Sequence, residues 1–201
     1  MIDKIRKKCE EKISLNEKIW DFLELIMYML VAFLFAFLIV KFVGQRTVVD
    51  GDSMNNTLKN GDNIIVEKLS YTFGDVERYD IIVFPYYDET RGREINLIKR
   101  VIGMPGETIQ IKNGLIYITN DKGETKILPD KYGYYCDGKP MDGYMANEPV
   151  KIPNGYYFVL GDNRNRSTDS RMIGLVNEDI ILGKAWLRFF PFSEFGFVSH
   201  R

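Results

Sequence analysis

Three short stretches hold the residues able to do chemistry: Asp50-Gly-Asp-Ser-Met-Asn-Asn-Thr-Leu58, Ile95-Asn-Leu-Ile-Lys-Arg-Val-Ile-Gly-Met104 and Gly161-Asp-Asn-Arg-Asn-Arg-Ser-Thr-Asp-Ser-Arg171. In the first, Ser53 follows the β-branched run Thr47-Val48-Val49 and sits in a Gly/Asp-rich turn. A serine there can offer its hydroxyl to a substrate while nearby backbone N–H groups point at the same spot. On its own, such a serine more often just hydrogen-bonds its own backbone. The single histidine, His200, is the penultimate residue, so a histidine-based triad or His-rich metal site has almost nothing to work with. A serine nucleophile then needs another base. Lysine serves if its surroundings are apolar enough to disfavour the ammonium form.

Lys99 lies in the middle of the second stretch, where strand alternation puts Leu97, Lys99 and Val101 on one face and Ile98, Arg100 and Ile102 on the other. A strand lysine normally points to water. A Lys-Arg pair inside an apolar run, however, sends adjacent charges to opposite faces, so at least one must be buried or paired with a carboxylate. The third stretch packs three Arg, two Asp, two Ser and two Asn into eleven residues after the strand-like Tyr156–Leu160. It reads either as a solvated loop or as a source of carboxylates for Arg100 and of a hydroxyl to orient Lys99.

The rest of the chain must place these stretches. Residues 1–21 are polar and charged, with Ile5, Ile13, Ile19 and Trp20 giving a weakly amphipathic helix suited to an interface. Residues 22–43 form the one membrane-length apolar run, with charges only near its ends at Glu24 and Lys41. At about 1.5 Å per residue it spans roughly 33 Å, enough for a hydrocarbon core of about 30 Å. It is apolar on every face, unlike a core helix, and is followed by Gly-Gln-Arg-Thr rather than a small-x-small cleavage site. An uncleaved transmembrane anchor is the expectation. Six Lys/Arg precede it, and only Arg46 and Lys59 closely follow. The positive-inside rule then puts the N-terminus in the cytoplasm and residues 44–201 outside a single-pass cell membrane.

Beyond residue 44 the pattern is one of short β-branched and aromatic runs. Strands are expected over 46–50, 63–69, 80–86, 95–104, 108–112, 115–119, 156–160 and 180–190, with Asn113-Gly114 as a hairpin turn. Residues 120–152 lack apolar periodicity and read as a long excursion or small mobile subdomain. With no long amphipathic helix after residue 44, the expected fold is mainly β: a folded antiparallel sheet or barrel-like catalytic body behind one N-terminal transmembrane helix. Ser53 follows Val43 by ten residues, which keeps it within about 35 Å of the membrane exit.

In order and spacing, Ser53-Met54, Tyr79-Asp-Ile-Ile-Val-Phe-Pro85, Lys99-Arg100-Val-Ile-Gly-Met-Pro-Gly106 and Gly161–Arg171 resemble the boxes of bacterial type I signal peptidases, in the single-anchor form seen in Gram-positive bacteria. The resemblance implies a Ser-Lys dyad on a β fold that cuts exported preproteins after small residues at −1 and −3. It implies Ser53 as nucleophile, Lys99 as neutral general base, and Ser167 as the hydroxyl that bonds and directs the amine. It also implies structural pairs Asp162–Arg100 and Asp169–Arg171. Two positions depart from the family pattern. Asn56 replaces the usual Pro after the nucleophile, removing a fixed φ. Gly51 stands where some members have a hydroxyl donor, so the oxyanion hole is expected to rest on backbone N–H groups of Gly51 and Ser53.

Net charge of −1 gives no reason to expect nucleic acid as a partner. Cys9 and Cys136 would lie on opposite sides of the membrane and have no metal-ligand spacing, so neither a disulfide, a metal nor a cofactor is expected. Expected partners are preproteins carrying signal peptides and the lipid bilayer, with the aromatic run after Trp186 serving either the interface or the core. Two other functions use the same framework: a Ser-Lys peptidase dedicated to a few surface proteins, and a non-enzymatic anchored β-domain.

Overall fold

The apolar run Ile81-Ile-Val-Phe84 does not alternate with polar residues because the strand that contains it is buried on both faces. Ile81 and Val83 pack into one cluster with Val49, Met54, Leu58, Ile64 and Ile98, while Ile82 and Phe84 pack into another with Val101, Tyr157 and Val159. In the computed structural model, which describes residues 2–38 and 44–199 and the side chains of 18–38 and 44–199, this strand lies near the middle of the larger of two sheets.

The strands after residue 44 are β1 (Gly44–Val48), β2 (Asn63–Glu67), β3 (Ile81–Asp88), β4 (Arg93–Gly103), β5 (Thr108–Lys112), β6 (Leu115–Thr119) and β7 (Thr125–Leu128). They continue with β8 (Val150–Lys151), β9 (Tyr156–Leu160), β10 (Val176–Asn177), β11 (Gly183–Phe190) and β12 (Gly196–Phe197). The large sheet runs β1-β2-β11-β3-β4-β9-β10, with β12 added to β11, and all its pairs are antiparallel. The second sheet runs β7-β6-β5-β8, also antiparallel. Its inward isoleucines, Ile109, Ile111, Ile116 and Ile118, form a third cluster with Ile102, Phe158 and Leu160 at the β4–β9 end of the large sheet.

The expected hairpin forms with Asn113 and Gly114 both at positive φ, the conformation a two-residue turn of this kind requires. Residues 120–152 are more ordered than expected. They supply β7, a 3₁₀ turn at Tyr144–Asn147 and β8, and they bury Leu128, Met141, Ala146 and Ile152 in the third cluster. The strand expected from residue 180 begins at Gly183, because Glu178–Ile180 forms a 3₁₀ turn capped by the Asn177 side chain.

The N-terminal part is a separate unit, a continuous helix α1 over Ile2–Leu38. No break appears near residue 22, so the polar segment and the apolar run share one helix. Within 18–38 an 18-residue window has a mean hydropathy of 2.1 and none of that window is buried, as suits a segment whose solvent is lipid. The expected end of the span, residues 39–43, lies outside the described residues, as does His200.

Candidate active site

The turn after β1 is held from below. Met54 and Leu58 drop into the cluster formed with Ile64, Ile81 and Val83, and the Leu58 N–H closes a helical turn on the Met54 carbonyl at 2.8 Å. Ser53, just before this plug, is left on the exposed side of the turn and only partly buried. Asn56 has φ of +85°, a left-handed conformation that asparagine tolerates and proline cannot adopt. The departure at position 56 is therefore a different turn rather than a looser version of the same one.

On β4, Lys99 is 2% exposed and Arg100 is 0% exposed, so both members of the charged pair are buried. Lys99 Nζ lies 2.9 Å from Ser53 Oγ and 2.9 Å from the Ile98 carbonyl oxygen. Burial pushes the Lys99 ammonium down to about 8, while Asp169 and then Asp162 pull the other way. At pH 7 about a tenth of such amines are neutral, and over half are at pH 8.5.

Arg100 is matched by a carboxylate that is equally buried. Asp162 takes its Nε at 2.8 Å and Nη2 at 2.7 Å, a bidentate pair with both side chains at 0% exposure. Thr57, in the nucleophile turn, donates to Asp162 Oδ2 at 2.5 Å and accepts from Arg100 Nη2 at 3.1 Å. Asp169 pairs with Arg171 through Nε at 2.8 Å and Nη2 at 2.8 Å, and it also takes the Gly161 N–H at 3.0 Å. A short helix over Ser170–Ile173 starts from Asp169 as its N-cap.

Two expected roles do not appear in this geometry. Ser167 does not hydrogen-bond the lysine amine, whose second acceptor is the Ile98 carbonyl; the Ser167 hydroxyl is buried without a partner among the described residues. The Gly51 N–H is already taken by the Asn60 side chain at 2.9 Å, which removes it from the oxyanion donors in this state. The Ser53 N–H makes no hydrogen bond among the described residues.

Sequence reasoning also missed Thr57 and Asn163. The Asn163 N–H bonds the Ser53 carbonyl at 2.9 Å, and its side chain donates to the Asp52 carbonyl at 3.2 Å. This tie works only with glycine at position 161, where an added Cβ would stand 2.6 Å from the Ser53 carbonyl oxygen. The signal for it is the Gly161-Asp-Asn163 run itself.

A cleft of about 600 Å³ opens onto Ser53 and Lys99, bounded by Gln45–Val49 on one side and Arg93–Ile98 on the other. Those two strand segments are paired on one edge only, β1 with β2 and the first half of β4 with β3. Among the described residues no group of His, Cys, Asp and Glu has metal-binding geometry, and Cys136 is free and exposed.

The family described as signal peptidase, peptidase S26, matches residues 22–190 of this chain. A signal peptidase IB of Staphylococcus aureus is 37% identical over 182 residues, covering 87% of this chain and 93% of the relative. A probable signal peptidase I-1 of a Synechocystis species is 36% identical over 189 residues, covering 88% of this chain and 87% of the relative. Among solved structures, a signal peptidase I from Enterococcus faecalis is 30% identical, with a TM-score of 0.39 over 55% of this chain and 96% of that one.

Proposed function

Because the chain belongs to the signal peptidase family, peptidase S26, we propose that it cuts signal peptides from preproteins by attack of Ser53 Oγ, with Lys99 Nζ as the base. The family makes it a serine endopeptidase that removes signal peptides, held to a membrane by its apolar helix. The assignment of the two side chains is carried by one observation: a fully buried lysine amine at hydrogen-bond distance from a serine hydroxyl at the mouth of a cleft.

In the neutral form, the Lys99 lone pair accepts the Ser53 proton as Oγ attacks the scissile carbonyl carbon. The Ser53 N–H faces the developing oxyanion. The resulting Lys99 ammonium, held by the Ile98 carbonyl, returns its proton to the leaving amine nitrogen as the C–N bond breaks. Water then attacks the ester, Lys99 takes its proton, and Ser53 recovers a proton as the acid departs. Ser167 is the hydroxyl available to steady the amine through these transfers, because it is buried and has no competing partner. Arg100–Asp162 and Asp169–Arg171 brace the site without reacting.

The two half-paired strand edges suit an extended substrate, which can hydrogen-bond as an added strand. In an extended chain alternate side chains point the same way, so residues −1 and −3 together face one wall of the cleft. Close approach of that wall would restrict both to small side chains. The charge asymmetry about the helix supports an N-terminus in the cytoplasm and residues 44–201 on the outer side of the cell membrane. Phe192, Phe195 and Phe197 are exposed rather than buried, as a face resting on lipid headgroups requires.

The test is cleavage of one small-x-small preprotein by the full chain in detergent. Ser53→Ala and Lys99→Ala are each expected to lose more than about 10³-fold in kcat while keeping their thermal transition. Retained cleavage in either folded variant contradicts the assignment.

A further inference from the structure

Residues 130–134 fall in the excursion between the two halves of the site and have no part in the chemistry above. Their contacts nevertheless converge on its back. The Tyr134 N–H bonds the Asp162 carbonyl at 2.7 Å, and the Arg164 N–H bonds the Tyr134 carbonyl at 2.8 Å, a two-bond bridge onto the third stretch. Arg164 is itself buried at 1% exposure. Its guanidinium takes both oxygens of Asp130, with Nη2 at 2.6 Å from Oδ1, and its Nε donates to the Gly161 carbonyl at 3.1 Å. Arg171 closes the loop from inside, donating Nη2 to the Arg164 carbonyl at 2.6 Å. Between these anchors, the Tyr132 ring covers the Arg100 guanidinium, with its centroid 3.7 Å from Cζ.

We propose that Asp130–Tyr134 is a positioning strap for the reaction: it clamps the Gly161–Arg164 turn, and through Asn163 it sets the backbone of Ser53. The inference rests on the Ser53–Lys99 reading. Three links join the strap to the nucleophile: the Asp130 carboxylate on Arg164, the Tyr134 bridge on Asp162 and Arg164, and the Asn163 N–H on the Ser53 carbonyl. Tyr132 adds a fourth constraint by fixing the planar Arg100 fork, whose other face of contacts reaches Thr57 in the nucleophile turn. Neither Asp130, Tyr132 nor Tyr134 lines the cleft that holds Ser53 and Lys99. Loss of the strap therefore acts on the alignment of the reacting atoms and not on substrate binding.

The experiment measures kcat and KM separately for the full chain on one signal-peptide-bearing peptide, with thermal melting alongside. Asp130→Asn keeps the shape of the carboxylate and removes its charge; Tyr132→Leu keeps apolar bulk and removes the ring; Tyr132→Phe is the conservative variant. The strap predicts a fall in kcat of about tenfold or more in the first two, KM within about twofold, and recovery of kcat in Tyr132→Phe. Should Tyr132→Leu fail to fold, Asp130→Asn, at the partly exposed end of the strap, decides alone. A folded Asp130→Asn with kcat within about twofold of the original chain overturns the proposal, as does a change confined to KM. Cleavage by the unaltered chain, and its loss in Ser53→Ala, are read in the same assay. A silent strap therefore counts against the strap and not against the dyad.

Discussion

Lys99 is a liability to the fold that contains it. Burial lowers its ammonium from 10.5 to about 8, a shift equivalent to about 3 kcal/mol between the two protonation states. The sign follows from linkage: between pH 8 and 10.5 the unfolded chain binds the extra proton, so stability rises across that window and is lower below it. Lys99→Met fills the same space without a proton to lose, at the expense of two hydrogen bonds. It is expected to raise stability at pH 7 by about 1–2 kcal/mol, read as a melting temperature higher by about 2–8 °C, while removing cleavage. The gain shrinks as pH rises from 8 towards 10.5; a destabilised variant at pH 7 contradicts the burial account. Arg100, equally buried, differs in having a matched counter-charge: Asp162 pairs with it with both side chains at 0% exposure. At this scale much was legible. Lys-Arg inside an apolar run demanded burial or pairing, and both occur. The Ser167 hydroxyl is buried and unpartnered rather than bonded to the amine, and Asp130 was missed because its arginine lies 34 positions away.

The same division holds among elements. Strands buried on one face or on both announce themselves by alternation or by an unbroken apolar run, and the hairpin at Asn113-Gly114 matches residue for residue. Strand β7 did not, since only Leu128 of its four residues is buried and one buried residue makes no period. The nucleophile turn is the element where a familiar pattern misleads. Proline is usual after the nucleophile in this family, yet Asn56 sits at φ +85°, out of reach of a proline ring. Asn56→Pro is expected to lower stability by about 1–3 kcal/mol and reduce kcat, because the whole turn must rebuild around it. Asn56→Gly, free to keep the left-handed conformation, is expected to change stability by less than about 1 kcal/mol. Chemical denaturation of both variants checks this, and a proline variant as stable as the original chain would show that the turn is not held in this conformation.

As a whole, the molecule couples a lipid-length helix to a cleft set close behind it in the chain. Residues 18–38 reach about 32 Å as a helix, and Ser53 follows within fifteen residues of Leu38. Anchoring in the bilayer that holds the signal peptide would confine both to one surface and raise their effective concentration without any new contact. A chain lacking residues 1–43 is expected to keep its rate on a soluble peptide within about fivefold, yet to cleave a vesicle-inserted preprotein about 100-fold more slowly. Equal loss on both substrates would mean that the helix stabilises the catalytic body instead. The membrane segment was plain in the sequence from length and apolarity alone; that the weakly amphipathic helix before it runs on into it without a break was not, because no residue pattern marks a junction or its absence.

The pH dependence of kcat, measured on one small-x-small peptide from pH 6 to 10.5, bears most directly on the claim that an uncharged Lys99 activates Ser53. Activity is predicted to rise with a one-proton slope, pass its midpoint near pH 8 and level off above it. A rate independent of pH over that range, or a midpoint near the 10.4 of a solvated lysine, would contradict it.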